Sequence, residues 1–133
     1  MIDTSKTVGV VGLGVMGFDI AFLYAQKGYR TLVYDASEAA MQNLVSRRDQ
    51  TMERLTRRNR ISEIEIEKVK KHLVPAARLS DMTNASLVTE AISESGNIKR
   101  SVYRTLREIG FSGVLTTNTS SLTRKSLIES GDY

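Results

Sequence analysis

The sequence predicts an α/β fold: a mainly parallel, doubly wound sheet with a helical hairpin inserted between strands two and three. Three observations carry this expectation. Thr7-Val8-Gly9-Val10-Val11 and Thr31-Leu32-Val33-Tyr34 are short apolar runs rich in β-branched residues, the pattern of strands covered on both faces. One helical stretch separates them, and a strand, a helix and a strand at such short spacing imply a right-handed crossover between parallel neighbours. Two further helical patterns then follow one another before the next strand signal.

The elements can be justified in chain order. Strand one ends near Gly12, and from Val15 the apolar residues Met16, Ile20, Leu23 and Tyr24 recur at helical spacing. Gly28 supplies the left-handed residue that stops a helix, so helix one is expected over about 15 to 27. Strand two closes on Asp35. Ser37 can cap a long helix reaching about Asn59, its apolar face made of Met41, Leu44, Val45, Met52 and Leu55. Ser62-Glu63-Ile64-Glu65 is a capping box that opens the second helix of the hairpin, with Ile61 and Ile66 in the positions of a hydrophobic staple. A short third strand is expected around Ala77-Arg78-Leu79 and a fourth at Leu87-Val88-Thr89-Glu90-Ala91. Ile98, Val102, Leu106 and Ile109 mark a helix closed by Gly110, Val114-Leu115-Thr116-Thr117 is strand five, and Leu122 to Glu129 can form a last helical turn or two. The order expected across the sheet is 3-2-1-4-5.

Composition narrows the function classes. A chain of 133 residues allows one domain of ordinary size. With 41% hydrophobic and 26% charged residues it matches a folded domain, and no apolar run reaches bilayer length. Met1 to Lys6 are polar and lack the features of a signal peptide, so a cytoplasmic protein is expected. The absence of cysteine excludes disulfides and thiolate chemistry, and one histidine cannot build a histidine metal cluster; no metal is expected. The net charge of +4 says little about partners.

Gly12-Leu13-Gly14-Val15-Met16-Gly17 is a G-x-G-x-x-G motif at a strand-to-helix transition. Gly12 permits the tight turn, Gly14 lets the backbone approach a pyrophosphate, and Gly17 lets helix and sheet pack closely. The phosphates would then meet the positive end of helix one. Asp35 stands where an acid can accept hydrogen bonds from the adenosine ribose, and its charge opposes a 2′-phosphate; since Ala36 and Ser37 follow it with no arginine, NAD is expected rather than NADP. A turn or cap aspartate is the structural alternative. Six arginines lie between Arg47 and Arg60, readable either as a solvated helix face or as an anion site. No aromatic residue interleaves with them, so nucleic acid is not expected as a partner. His72 falls near a helix C-terminus, where its cation would suit the dipole, and reads as structural.

Taken together, the glycine motif, Val33-Tyr34-Asp35, Glu90-Ala91-Ile92-Ser93-Glu94 followed by Lys99, and Asn118-Thr119-Ser120-Ser121-Leu122 resemble the 3-hydroxyacyl-CoA dehydrogenase family. The 3-hydroxyisobutyrate dehydrogenases begin almost identically, but the hairpin and the Asn-Thr-Ser-Ser-Leu segment are not expected of them. The resemblance implies a Rossmann-like NAD-binding domain over residues 1–133, with hydride transfer between a 3-hydroxyacyl-CoA and NAD to give the 3-oxoacyl-CoA. It implies that Glu94 and Lys99 lie beside the cofactor and that Ser120 hydrogen-bonds the substrate 3-oxygen near the nicotinamide. Thr51 and Arg58 align with hairpin positions that contact coenzyme A.

In that family a further strand carries the catalytic histidine, followed by a helical domain that completes the pocket and the dimer. His72 precedes strand three and cannot align with that histidine. The chain is therefore expected to be an incomplete dehydrogenase, without turnover of its own and with an open sheet edge favouring self-association. A 3-hydroxyacid dehydrogenase cofactor domain and a non-catalytic nucleotide-binding module are the rival readings.

Overall fold

The computed structural model describes residues 6–92 and 96–117, with residues 96–98 described by their helical backbone. In chain order the elements are β1 (Thr7–Val11), α1 (Val15–Gln26), β2 (Arg30–Tyr34), α2 (Glu38–Gln42), α3 (Leu44–Arg57), α4 (Glu63–His72), β3 (Leu73–Pro75), a 3₁₀ turn (Leu79–Met82), β4 (Leu87–Glu90), α5 (Gly96–Glu108) and β5 (Val114–Thr117). All four strand pairs are parallel, and the order is β3-β2-β1-β4-β5, as the sequence predicts. The chain leaves β1 toward β2 on one side and returns to β4 on the other, which opens a crevice at the carboxyl ends of β1 and β4.

The strands alternate their side chains between two cores. Val10 and Val33 join Phe18, Phe22, Leu44, Met52 and Val69 on the face covered by α1, α3 and α4. Val11, Leu32 and Val88 join Met82, Leu106 and Phe111 on the opposite face. Val10, Val33 and Val88 are each 0% exposed, and a valine buried to that extent contributes about 1.5 to 3 kcal/mol. Among the described residues no helix is long and apolar enough to cross a membrane.

Four local expectations are corrected. The buried stripe of α1 is Gly17, Phe18, Ala21, Phe22 and Ala25, while Met16 and Leu23 are exposed; the three small residues let the helix approach the sheet more closely than the larger predicted face could. The helix starting at Ser37 is broken at Asn43 (φ −85°, ψ −2°), which ends α2 and begins α3. The break turns Leu44 into the core and leaves Val45 half exposed. Strand three is Leu73–Pro75 rather than the segment around Ala77-Arg78-Leu79. It follows α4 directly and pairs Leu73, Val74 and Pro75 with Thr31, Leu32 and Val33, an outermost position where a proline is tolerated. His72 does end α4, but burial first, then Lys71 and Lys68, hold its pKa below the ordinary value, which favours the neutral ring over the expected cation.

The remaining hairpin reading holds in detail. Ser62 Oγ accepts from Glu65 N at 3.1 Å and Glu65 Oε1 accepts from Ser62 N at 3.0 Å, the reciprocal capping box. Glu65 Oε2 also accepts from Gln26 Nε2 at 2.7 Å, fastening α4 to α1. Ile61 and Ile66 both pack on the first core. The turn expected over Leu122 to Glu129 lies outside the described residues.

Candidate functional site

The crevice is built from backbone first. Gly12 has φ +102°, and a Cβ there would stand 2.9 Å from the Ala91 carbonyl carbon, so glycine is required both for the turn and for the approach of the β4 end. A Cβ on Gly17 would lie against the Gly12 oxygen, which explains why α1 can start so close to the sheet. Gly14 differs: its Cβ would meet no protein atom within 4 Å. The protein's own packing does not require glycine there, whereas a ligand approaching the backbone would. Gly14 is also the N-cap of α1 and offers no side-chain cap, leaving first-turn amides to hold an anion.

Leu13 has a double role. Its side chain is buried in the first core, while its N–H donates to Asp35 Oδ2 at 2.7 Å. Asp35 Oδ1 accepts from Ser37 N at 2.7 Å. Both carboxylate oxygens are therefore oriented, and each keeps acceptor capacity for a hydroxyl. Gly12, Gly14, Asp35, Ser37, Ala91 and Ile92 line one continuous crevice. Gly14, Val15 and Met16 are the exposed positions of the motif, the two side chains 77% and 57% accessible.

Lys99 is 1% exposed and forms an ion pair with Glu90, which is 0% exposed. Its ammonium reaches the two carboxylate oxygens at 3.3 and 3.2 Å. Glu90 also accepts from Tyr103 OH at 2.7 Å, Thr117 Oγ1 at 2.9 Å and Ile92 N at 2.7 Å. Burial pushes the Tyr103 hydroxyl up to about 12, with the hydrogen bond to Glu90 and its charge adding to this and the Thr117 hydrogen bond opposing it. The phenol thus stays a donor to the carboxylate. Sequence reasoning placed Glu90 in the motif that carries the resemblance but gave it no role, and it missed Tyr103 and Thr117. The available signal was an acid ending an apolar strand, followed by a lysine and a tyrosine one helical turn apart.

On the outer side of the glycine turn, Arg47 Nη1 donates to Leu13 O at 2.6 Å. Thr51 lines a shallow recess there with Val15, Asp19, Arg47, Gln50 and Arg54. Arg58 caps the far end of α3 and is not among the residues of that recess. Glu94 and Ser120 lie outside the described residues. Among the described residues, no group of three or more histidine, aspartate or glutamate side chains is placed to hold a metal ion.

Residues 7–132 match the family model described as the 3-hydroxyacyl-CoA dehydrogenase, NAD binding domain. The chain belongs to this family. It is 32% identical over 123 residues to the 3-hydroxyadipyl-CoA dehydrogenase of Escherichia coli K12, covering 92% of this chain and 26% of that protein. It is 31% identical over 124 residues to a 3-hydroxybutyryl-CoA dehydrogenase of Mycobacterium tuberculosis, covering 92% of this chain and 43% of that one. The crystal structure of the Escherichia coli K12 3-hydroxybutyryl-CoA dehydrogenase superposes with a TM-score of 0.83 at 29% identity, covering 95% of this chain and 27% of that one. The chain thus spans from about a quarter to under half the length of these family members. The family match and the related dehydrogenase structure support NAD as the cofactor.

Proposed function

We propose that this chain holds NAD for hydride exchange between a 3-hydroxyacyl-CoA and its 3-oxoacyl-CoA. The observation that carries the reading is Asp35, whose two oxygens are fixed by the Leu13 and Ser37 amides at the mouth of the glycine-rich crevice. In this reading the Gly12 to Gly17 turn and the start of α1 receive the pyrophosphate, and Asp35 receives the adenosine ribose. When bound, the nicotinamide accepts the hydride as the 3-hydroxyl loses its proton. Ser120 holds the substrate 3-oxygen, with Glu94 and Lys99 on the nicotinamide side. Thr51 and Arg58 meet the coenzyme A portion; Arg54, which lines the same recess as Thr51, supports an anionic ligand on that stretch of α3. The cytoplasmic setting expected from the sequence and self-association through the β5 edge belong to the same reading.

The test is a calorimetric titration of the chain with NAD and with NADP. NAD is expected to bind more tightly, and Asp35→Ser is expected to narrow the difference, because the carboxylate both accepts from the ribose diol and repels a 2′-phosphate. Equal affinity of the unmodified chain for the two dinucleotides would overturn the assignment of Asp35.

A further inference from the structure

We infer that Arg47 is a positioning residue for the dinucleotide: it holds the Leu13 and Gly14 carbonyls so that the Gly14 and Val15 amides face the pyrophosphate. The inference rests on the NAD reading above. Arg47 lies on α3, 34 residues beyond Leu13 and outside the glycine motif. Its Nη1 donates to Leu13 O at 2.6 Å and its Nη2 to Gly14 O at 3.4 Å. The guanidinium carbon sits 4.3 Å from the centre of the Phe18 ring, so the fork is braced against α1 by a cation–π contact.

The geometry follows from peptide planarity. In a trans peptide the carbonyl and the following N–H point in opposite directions. Drawing the Leu13 carbonyl toward Arg47 turns the Gly14 N–H away from Arg47, and the Gly14 carbonyl does the same for the Val15 N–H. The Gly14 carbonyl is also the first acceptor of α1, receiving Phe18 N at 3.0 Å, so the turn is tied into the helix whose positive end faces the anion. Leu13 is held from the other side as well, through its N–H to Asp35 Oδ2. One residue at the centre of the turn is thus gripped by a cation at its carbonyl and an anion at its amide. The guanidinium also offsets the partial negative charge of two carbonyl oxygens close to the position of the pyrophosphate. A planar fork can span two acceptors, which an ammonium cannot do in the same way.

Arg47→Met keeps an apolar stem against Phe18 but removes the donors, and Arg47→Lys keeps one charged donor without the fork. Titrating the whole chain with NAD and with adenosine separates turn geometry from general damage, because adenosine lacks the pyrophosphate. Arg47→Met is expected to weaken NAD about tenfold, as losing charged hydrogen bonds to the turn implies, while leaving adenosine affinity unchanged. Arg47→Lys is expected to fall between, and it supplies the same comparison if the methionine variant does not fold. Unchanged NAD affinity in both variants, or equal loss for NAD and adenosine, would overturn the inference. A direct role of Arg47 as an anion ligand in the Thr51 recess would instead lower affinity for coenzyme A and spare NAD, which also counts against it. Failure of the unmodified chain to bind NAD would overturn the cofactor reading itself, and this inference with it.

Discussion

At the scale of single residues, the buried Glu90 shows how a charge is kept inside a small domain. A carboxylate with 0% exposure is tolerated because Lys99, Tyr103, Thr117 and the Ile92 amide all donate to it. Those donors come from α5, β5 and the loop after β4, so one side chain joins three pieces of the fold. The Ile92 amide is also 3.1 Å from where a Gly12 Cβ would stand, which places the loop fixed by Glu90 directly against the glycine turn. Removing one partner of such a pair costs far more than removing both. Lys99→Met is expected to destabilise the chain by about 3 to 5 kcal/mol, the range for a buried pair broken from one side. Combined with Glu90→Gln, the loss should be smaller by about 1 kcal/mol or more, read as a coupling energy in urea unfolding. Additive losses would show that the two groups do not depend on each other.

At the scale of elements, the start of α4 was legible because its determinants are local. Ser62 and Glu65 stand three residues apart and satisfy each other's amides without help from the rest of the fold. Ser62→Ala is expected to cost about 1 kcal/mol in thermal unfolding, the usual effect of losing an N-cap oxygen. The pKa of Glu65 is lowered, first by the hydrogen bond from the Ser62 backbone and then by that from Gln26, with burial opposing. A carboxyl more acidic in the folded state stabilises above its ordinary value of 4.5, and that contribution is lost as pH falls through the lower folded value. Wild type should therefore exceed Glu65→Gln in stability near neutral pH by about a few tenths of a kcal/mol, because the group is largely screened by solvent. The difference should close on acidification, as followed by thermal melts across that range. A difference that stays constant with pH would remove Glu65's charge from the account. The third strand was misplaced for the opposite reason. Leu73, Val74 and Pro75 carry too short a signal to be told from a helix end, and their extended conformation comes from pairing with β2.

At the scale of the whole molecule, self-association through the β5 edge is a proposal that rests on the order of the sheet. β5 is the outermost described strand beside β4, and its first residue, Val114, is 61% exposed. Sheet edges whose backbone groups stay unpaired favour pairing with a further strand or a second chain. Sedimentation is expected to show association that grows with concentration, and Val114→Lys should reduce it by placing a charge at that edge. A monomer at every concentration would count against this edge as an interface.

The sequence by itself determined the parallel order of the strands, the glycine turn, the acid ending β2, the hairpin and its capping box. The strand order follows from the right-handedness of crossovers between parallel strands, and the others depend on backbone conformation or periodicity within a few residues, so composition and spacing reveal them. Only the tertiary structure decided which face of α1 is buried, where the hairpin helix breaks, and that Leu13 and Glu90 are the points where distant charges converge. Thr117 reaches Glu90 across 27 residues and Arg47 reaches Leu13 across 34. Contacts over such separations arise from the packing of elements that no local pattern brings together, and α3 places its arginine against the turn only once both have docked on the sheet.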